Sequence, residues 1–193
     1  MSDKNEIFGN YMEMNPGQEH MTLQFRAALM NIDELWESGA LSASFLSNFW
    51  GKFFPSKDQE GRTEMKDAVR YIAGELIGNA VKFSYEPDFL IRIALCLSDE
   101  ELHFYVTNSV RNEDAGDFKN FIRKILDNDP DELYIEQMEK NASEESDESR
   151  MGFLTMILDY GAEPAWEFKT DEDMGIQTVT TMLRLSVVRN TRS

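Results

Sequence analysis

At 193 residues the chain has the size of one domain, or of one domain with an appendage, and its 41% apolar and 11% aromatic residues suffice to bury a core. Its 19 Lys and Arg against 36 Asp and Glu give a formal charge of −17, which disfavours nucleic acid and an anionic membrane surface as partners. One cysteine, Cys96, excludes an internal disulfide and a thiolate-rich metal site, and two histidines, His20 and His103, exclude a histidine cluster.

Residues 1–17 are polar and end in Asn15-Pro16-Gly17, a turn signal that predicts a loose N-terminal arm before a single domain over 18–193. The start MSDKNEIFGN has no apolar stretch of a signal peptide, and no apolar run approaches the roughly 18–20 residues of a membrane span. A soluble cytoplasmic protein is expected. In residues 20–25, Met21, Leu23 and Phe25 alternate as on a half-buried strand. Residues 31–54 carry apolar residues at helical spacing, with a break expected near Gly39 and a stop at Pro55.

From Gly61 the pattern is the clearest in the chain. Met65, Val69, Ile72, Leu76, Ala80 and Phe83 recur every three or four residues and predict one long amphipathic helix. Residues 88–97 and 101–108 read as two strands joined by a hairpin turn at Ser98-Asp99-Glu100. Helical segments follow near 117–127, 131–142 and 150–160, and then AWEFKT and IQTVTTMLRLSVV as two last strands. Residues 127–149 hold ten acids against the single Lys140, a net −9, and 142–149 have lost apolar periodicity, as in a mobile loop. This order predicts an α/β (α+β) two-layer sandwich, with a mixed, mainly antiparallel sheet and helices packed on one face.

On the long helix, Asn79 lies about 40° and Lys82 about 20° from Glu75 at 100° per residue. A carboxylate, an amide and an ammonium therefore share one stripe at the border of the buried face. Periodicity alone also allows a solvated flank with a Glu75 to Lys82 contact. Gly74 and Gly78 sit in the same helix at about 0.8–1.0 kcal/mol each relative to alanine, so either something approaches the backbone there or these are tolerated surface glycines.

The segment YIAGELIGNAVKFS resembles the N-box of the GHKL, or Bergerat-fold, ATP-binding superfamily, with Glu75, Asn79 and Ala80 at its core positions and Lys82 after them. The resemblance implies a histidine-kinase-like ATPase fold, ATP and Mg²⁺ as cofactors, Asn79 as a Mg²⁺ ligand and Glu75 as the general base. MGFLTMILDYGAEPAWEF is similar to the later glycine box, its helix and the following strand, with Gly152 offering backbone N–H groups to phosphate. Thr180, with Thr181 beside it, matches the threonine-rich last strand that lies under adenine in anti-sigma-factor kinases.

There are departures from the pattern. Where the superfamily has an aspartate for the adenine amino group and then Gly-x-Gly, this chain has Asn108 in VTNSVRNEDAGDF, so the adenine contact is expected to lack charge assistance. Arg150 stands near the first glycine of the later box and would either touch phosphate or close the acidic loop.

Residues 20–188 resemble small stand-alone bacterial regulators similar to SiaB-type kinases and anti-sigma-factor serine kinases. This implies a serine/threonine protein kinase or anti-sigma-type switch acting on a STAS-domain or other small partner, with a lid and helical insertion over 109–151. Nucleic acid and membrane are not expected as partners, and a homodimer is left open. The alternative is a catalytically inactive binding module that sequesters a regulator. A sensor histidine kinase is disfavoured because His20 and His103 both fall in predicted strands.

Overall fold

The computed structural model describes residues 5–15, 17–26, 32–53, 59–98, 100–143, 151–171 and 175–187. In chain order the elements are β1 (Asn5–Phe8), β2 (His20–Phe25), α1 (Ile32–Trp50), α2 (Gln59–Phe83), β3 (Ile91–Leu97) and β4 (Glu101–Val110). They continue with α3 (Asn112–Asp127), α4 (Pro130–Ser143), α5 (Met151–Tyr160), β5 (Glu163–Asp171) and β6 (Ile176–Ser186). The strands form one six-stranded sheet in the order β1-β5-β6-β4-β3-β2. Each of its pairings is antiparallel, so the sheet has no parallel member among the described residues.

Alternation along the strands decides the faces. Leu102, Phe104 and Val106 of β4 and Val179, Leu183 and Leu185 of β6 join the large core beneath the helices. Their neighbours Tyr105 and Met182 point the other way, into a smaller cluster with Ala94, Cys96 and Ala165. The central pairing of β4 with β6 runs from Glu101 opposite Ser186 to Val110 opposite Gln177.

The periodic row of α2 does what its spacing predicts, with Val69, Ile72, Leu76 and Ala80 buried. Phe83 departs from the row and is exposed. α1 runs through Gly39 without a break, and it packs against α2 through Ala43, Leu46 and Trp50. A Cβ on Gly39 would stand 3.3 Å from Ile77 Cγ2, and one on Gly74 would stand 4.0 Å from Ala43 Cβ. The tight approach is thus at Gly39 of α1, whereas at Gly74 of the long helix a methyl group would meet only ordinary van der Waals contact. Ser47 Oγ adds a 2.6 Å hydrogen bond to the Lys66 carbonyl at the same crossing.

α5 ends on Gly161 at φ +64°, where the Gly161 N–H donates to Ile157 O and the Ala162 N–H to Met156 O. This double closure satisfies the last carbonyls of the helix and turns the chain into β5.

The segment expected as a loose arm is instead built into the sheet. β1 pairs with β5 from Asn5 opposite Lys169 to Phe8 opposite Trp166. Residues 11–14 then cross the second sheet face, where the Tyr11 ring meets Tyr105 edge-on at 6.4 Å and the Met12 N–H reaches Met182 Sδ at 3.4 Å. Glu167, buried on that face, accepts a 2.8 Å hydrogen bond from Asn5 Nδ2 and pairs with Lys169 Nζ at 2.9 Å. Burial alone would raise its carboxyl, but the bonds from Lys169 and Asn5 hold it below the usual carboxylate range.

The helical segment at 150–160 is borne out as α5 from Met151, whereas most of the expected acidic loop, residues 144–150 with Arg150, lies outside the described residues. Among the described residues no helix is long and apolar enough to cross a membrane.

Candidate functional site

One cleft of about 500 Å³ opens between α2, the start of α3 and the start of α5, with β4 and β6 as its floor. Glu75, Asn79 and Lys82 reach it from α2, because the buried row of that helix sits on the sheet and leaves this flank at the cleft edge. Asn108 reaches it from β4, and Gly152 from the second position of α5. Five of the six residues singled out in the sequence are thus gathered from three distant segments.

Thr180 is the exception. Its Oγ1 shares a 2.9 Å hydrogen bond with Thr107 Oγ1 on the opposite sheet face, and alternation turns Thr181 toward the cleft in its place.

Glu75 and Gly152 are in intimate contact. A Cβ built on residue 152 would fall 2.2 Å from Glu75 Oε2, so the carboxylate occupies the room that glycine leaves at the start of α5. Burial raises the Glu75 carboxyl above the usual range, which makes it a better proton acceptor than a solvated glutamate.

The Asn108 Nδ2 donates to the Ser109 carbonyl at 2.8 Å, so the group this side chain can turn to a ligand is its Oδ1 acceptor. Ser109 faces the other way. Its Oγ accepts the N–H groups of Tyr85 and Glu86 at 3.1 and 2.8 Å, which ties the chain leaving α2 to β4 beside Asn108.

Sequence reasoning missed the mouth and far wall of the cleft. The Arg111 guanidinium lies over the Tyr85 ring at 5.0 Å and is 3.6 Å from Asp114 Oδ2. Asp114 and Asp117 line the wall because α3 begins at Asn112, one turn earlier than its apolar pattern suggests. The charged lining residues are Glu75, Asp114 and Asp117 against Lys82 and Arg111, so an anionic ligand entering here requires a cation with it.

Two outcomes follow from the contact between Glu75 and Gly152. In Gly152→Ala the clash falls on the free end of a flexible side chain, so the carboxylate is expected to move while α5 stays, and the melting temperature should not fall. A ¹³C titration of the Glu75 carboxyl checks this: its pKa should drop toward the ordinary glutamate value as the group leaves its buried position.

Glu75→Gln should melt higher than the parent at pH 7 to 8. A folded-state pKa raised above the unfolded one stabilises fully only below the unfolded value of about 4.3, and this contribution is lost as pH rises through the folded value. The gain from the neutral amide should therefore vanish near pH 4, a dependence that melting curves across this range would read.

No family model matches the chain, and no curated protein matches it.

Proposed function

We propose that the chain is an ATP-binding regulatory protein of the serine/threonine kinase type, a member of the GHKL superfamily that phosphorylates a hydroxyl on a small STAS-like partner in the bacterial cytoplasm. The reading rests on the convergence of Glu75, Asn79, Lys82, Asn108 and Gly152 in one cleft, since these residues carry the resemblance and lie far apart in the sequence. The cleft volume of about 500 Å³ lies within the range of small-molecule sites.

The residues present fit ATP with Mg²⁺. Gly152 starts α5 with no side chain at the cleft, the room it leaves being held by the Glu75 carboxylate, and Asn79 offers a neutral oxygen to a hard cation. Among the described residues no group of three acidic, histidine or cysteine side chains gathers to hold a metal. Bound Mg-ATP would supply the phosphoryl group and the neutralising charge. Glu75 accepts the proton of the attacking hydroxyl, Lys82 and Arg111 offset phosphate charge, and Asn108 Oδ1 and Thr181 receive the base. The inverted charge balance of the wall keeps uncomplexed anions out.

A second reading, a binding module that takes nucleotide without transferring phosphate, is favoured by the neutral Asn108 and by the absence of the Gly-x-Gly expected after it. Thermal melting tests the shared premise: at about 100 times its dissociation constant Mg-ATP should stabilise the fold by about 2.7 kcal/mol. Unchanged melting at millimolar Mg-ATP would sink both readings. Binding followed by label transfer to the partner separates the first from the second.

A further inference from the structure

Outside the cleft, the most conspicuous surface feature is on α1. Leu41, Phe45, Phe49 and Phe53 follow one another at four-residue steps and are 65%, 52%, 36% and 48% exposed. Their rings form a continuous ridge, with centroids 6.2 Å apart from Phe45 to Phe49 and 5.5 Å from Phe49 to Phe53. Ala43, Leu46 and Trp50 of α1 are buried against α2. The row runs from Leu41 to Phe49 and on to Phe53 in the turn after α1, and the Phe49 and Phe53 rings pack on Trp50 at 5.4 and 5.6 Å and so hold the ridge in place.

We propose that this row is the centre of a two-fold interface with a second copy of the same chain. Charge identifies the occupant. The chain carries −17, so two copies repel over most of their surfaces, yet from Ser38 to Gly51 there is no charged residue at all. Lys52 follows this stretch and Lys66 Nζ reaches Asn48 Oδ1 at 3.3 Å, both toward the Phe53 end, which a two-fold sets against the Leu41 end of the other copy, so two copies can meet here without opposing like charges. An anionic membrane is disfavoured because Lys52 and Lys66 stand at one end only and the rest of the row has no cation beside it, in a chain of net −17.

Area agrees. With phenylalanine side chains worth about 150–250 Å² each, and about half of the row exposed, each copy contributes about 400 Å² of apolar surface, or about 800 Å² for the pair. An interface whose area is about 60% apolar would then total about 1,300 Å², within the stable class. A row of residues at i, i+4 and i+8 is a ridge that fits the groove beside the same ridge on another helix, at a crossing angle of about −50°. Such a contact is isologous: the two-fold axis passes near the middle of the row, setting Phe45 of one copy against Phe49 of the other.

The experiment is sedimentation of the full chain from about 1 to 100 µM, beside F45E, F49R and their equimolar mixture, each checked by circular dichroism. The parent should show the mass of a dimer. F45E alone should dissociate at least tenfold more readily. The mixture should regain dimer, because the opposite charges introduced at positions 45 and 49 now meet across the axis. A parent monomeric at 100 µM overturns the proposal, as does a dimer unaffected by F45E. Loss of helical signal in both variants would make the row part of the fold and would also overturn it. So would a parent that stays monomeric but sediments with phosphatidylcholine or phosphatidylglycerol vesicles, since the row would then serve a membrane.

Discussion

Glu75→Gln is expected to lower phosphoryl transfer by about 10²- to 10⁴-fold, the usual contribution of a positioned general base. The substitution keeps the shape of the side chain, its place against Gly152 and one carbonyl-type oxygen, and removes only the ability to take a proton. Affinity for Mg-ATP should consequently stay within a few fold of the parent. The parent should also gain rate as pH rises through the elevated Glu75 pKa, and the variant should lose that dependence. Transfer assays with the partner, run across pH, read both effects. An undiminished rate in Glu75→Gln would assign the base elsewhere, or leave a mechanism of positioning alone.

Asn79→Ala is expected to abolish Mg-nucleotide binding while leaving the fold intact. Asn79 lies one turn beyond Glu75 at the cleft edge, outside the buried row of Ile72, Leu76 and Ala80. Alanine in the interior of α2 is, if anything, a better helix former. The loss should thus be confined to the ligand: titration calorimetry should lose its Mg-ATP isotherm while circular dichroism and melting without nucleotide stay unchanged. Parent-like affinity in this variant would remove Asn79 from the cation site and take the N-box reading with it.

The parts of this molecule legible in its sequence are those where one physical pattern dominates. α2 is long enough for its 3.6-residue period to fix the buried row, and the flank bearing Glu75, Asn79 and Lys82 follows from that row. β2 is legible through alternation, β3 and β4 through two apolar runs around a turn, and β6 through its β-branched residues. β1 is not, because a four-residue edge strand, NEIF, gives no periodic signal and draws its order from β5, at the other end of the chain.

Thr180 and Thr181 show a different limit. Adjacent strand residues face opposite ways, and only the register with β4 decides which of them meets the cleft. The aromatic row of α1 shows a third: the period that marks an apolar face is the same whether that face meets the core or another molecule. Arg111, Asp114 and Asp117 were hidden because α3 begins before its apolar period does, on residues with no pattern of their own.

The pairing of β1 with β5 has a consequence for the order in which this protein can be assembled. Asn5 meets Glu167 across a separation of 162 residues, so β1 leaves the ribosome long before the strand it closes against. At about 5–20 residues per second the wait is about 10–30 s. Through that interval Phe8 and Tyr11 have none of their final neighbours Phe168, Tyr105 and Met182 in combination, although α1, α2, β3 and β4 already hold enough apolar surface to begin collapsing. The nascent chain thus carries β1 as an unplaced strand until β5 has been made, and the six-stranded sheet cannot be completed by its β1 edge before then.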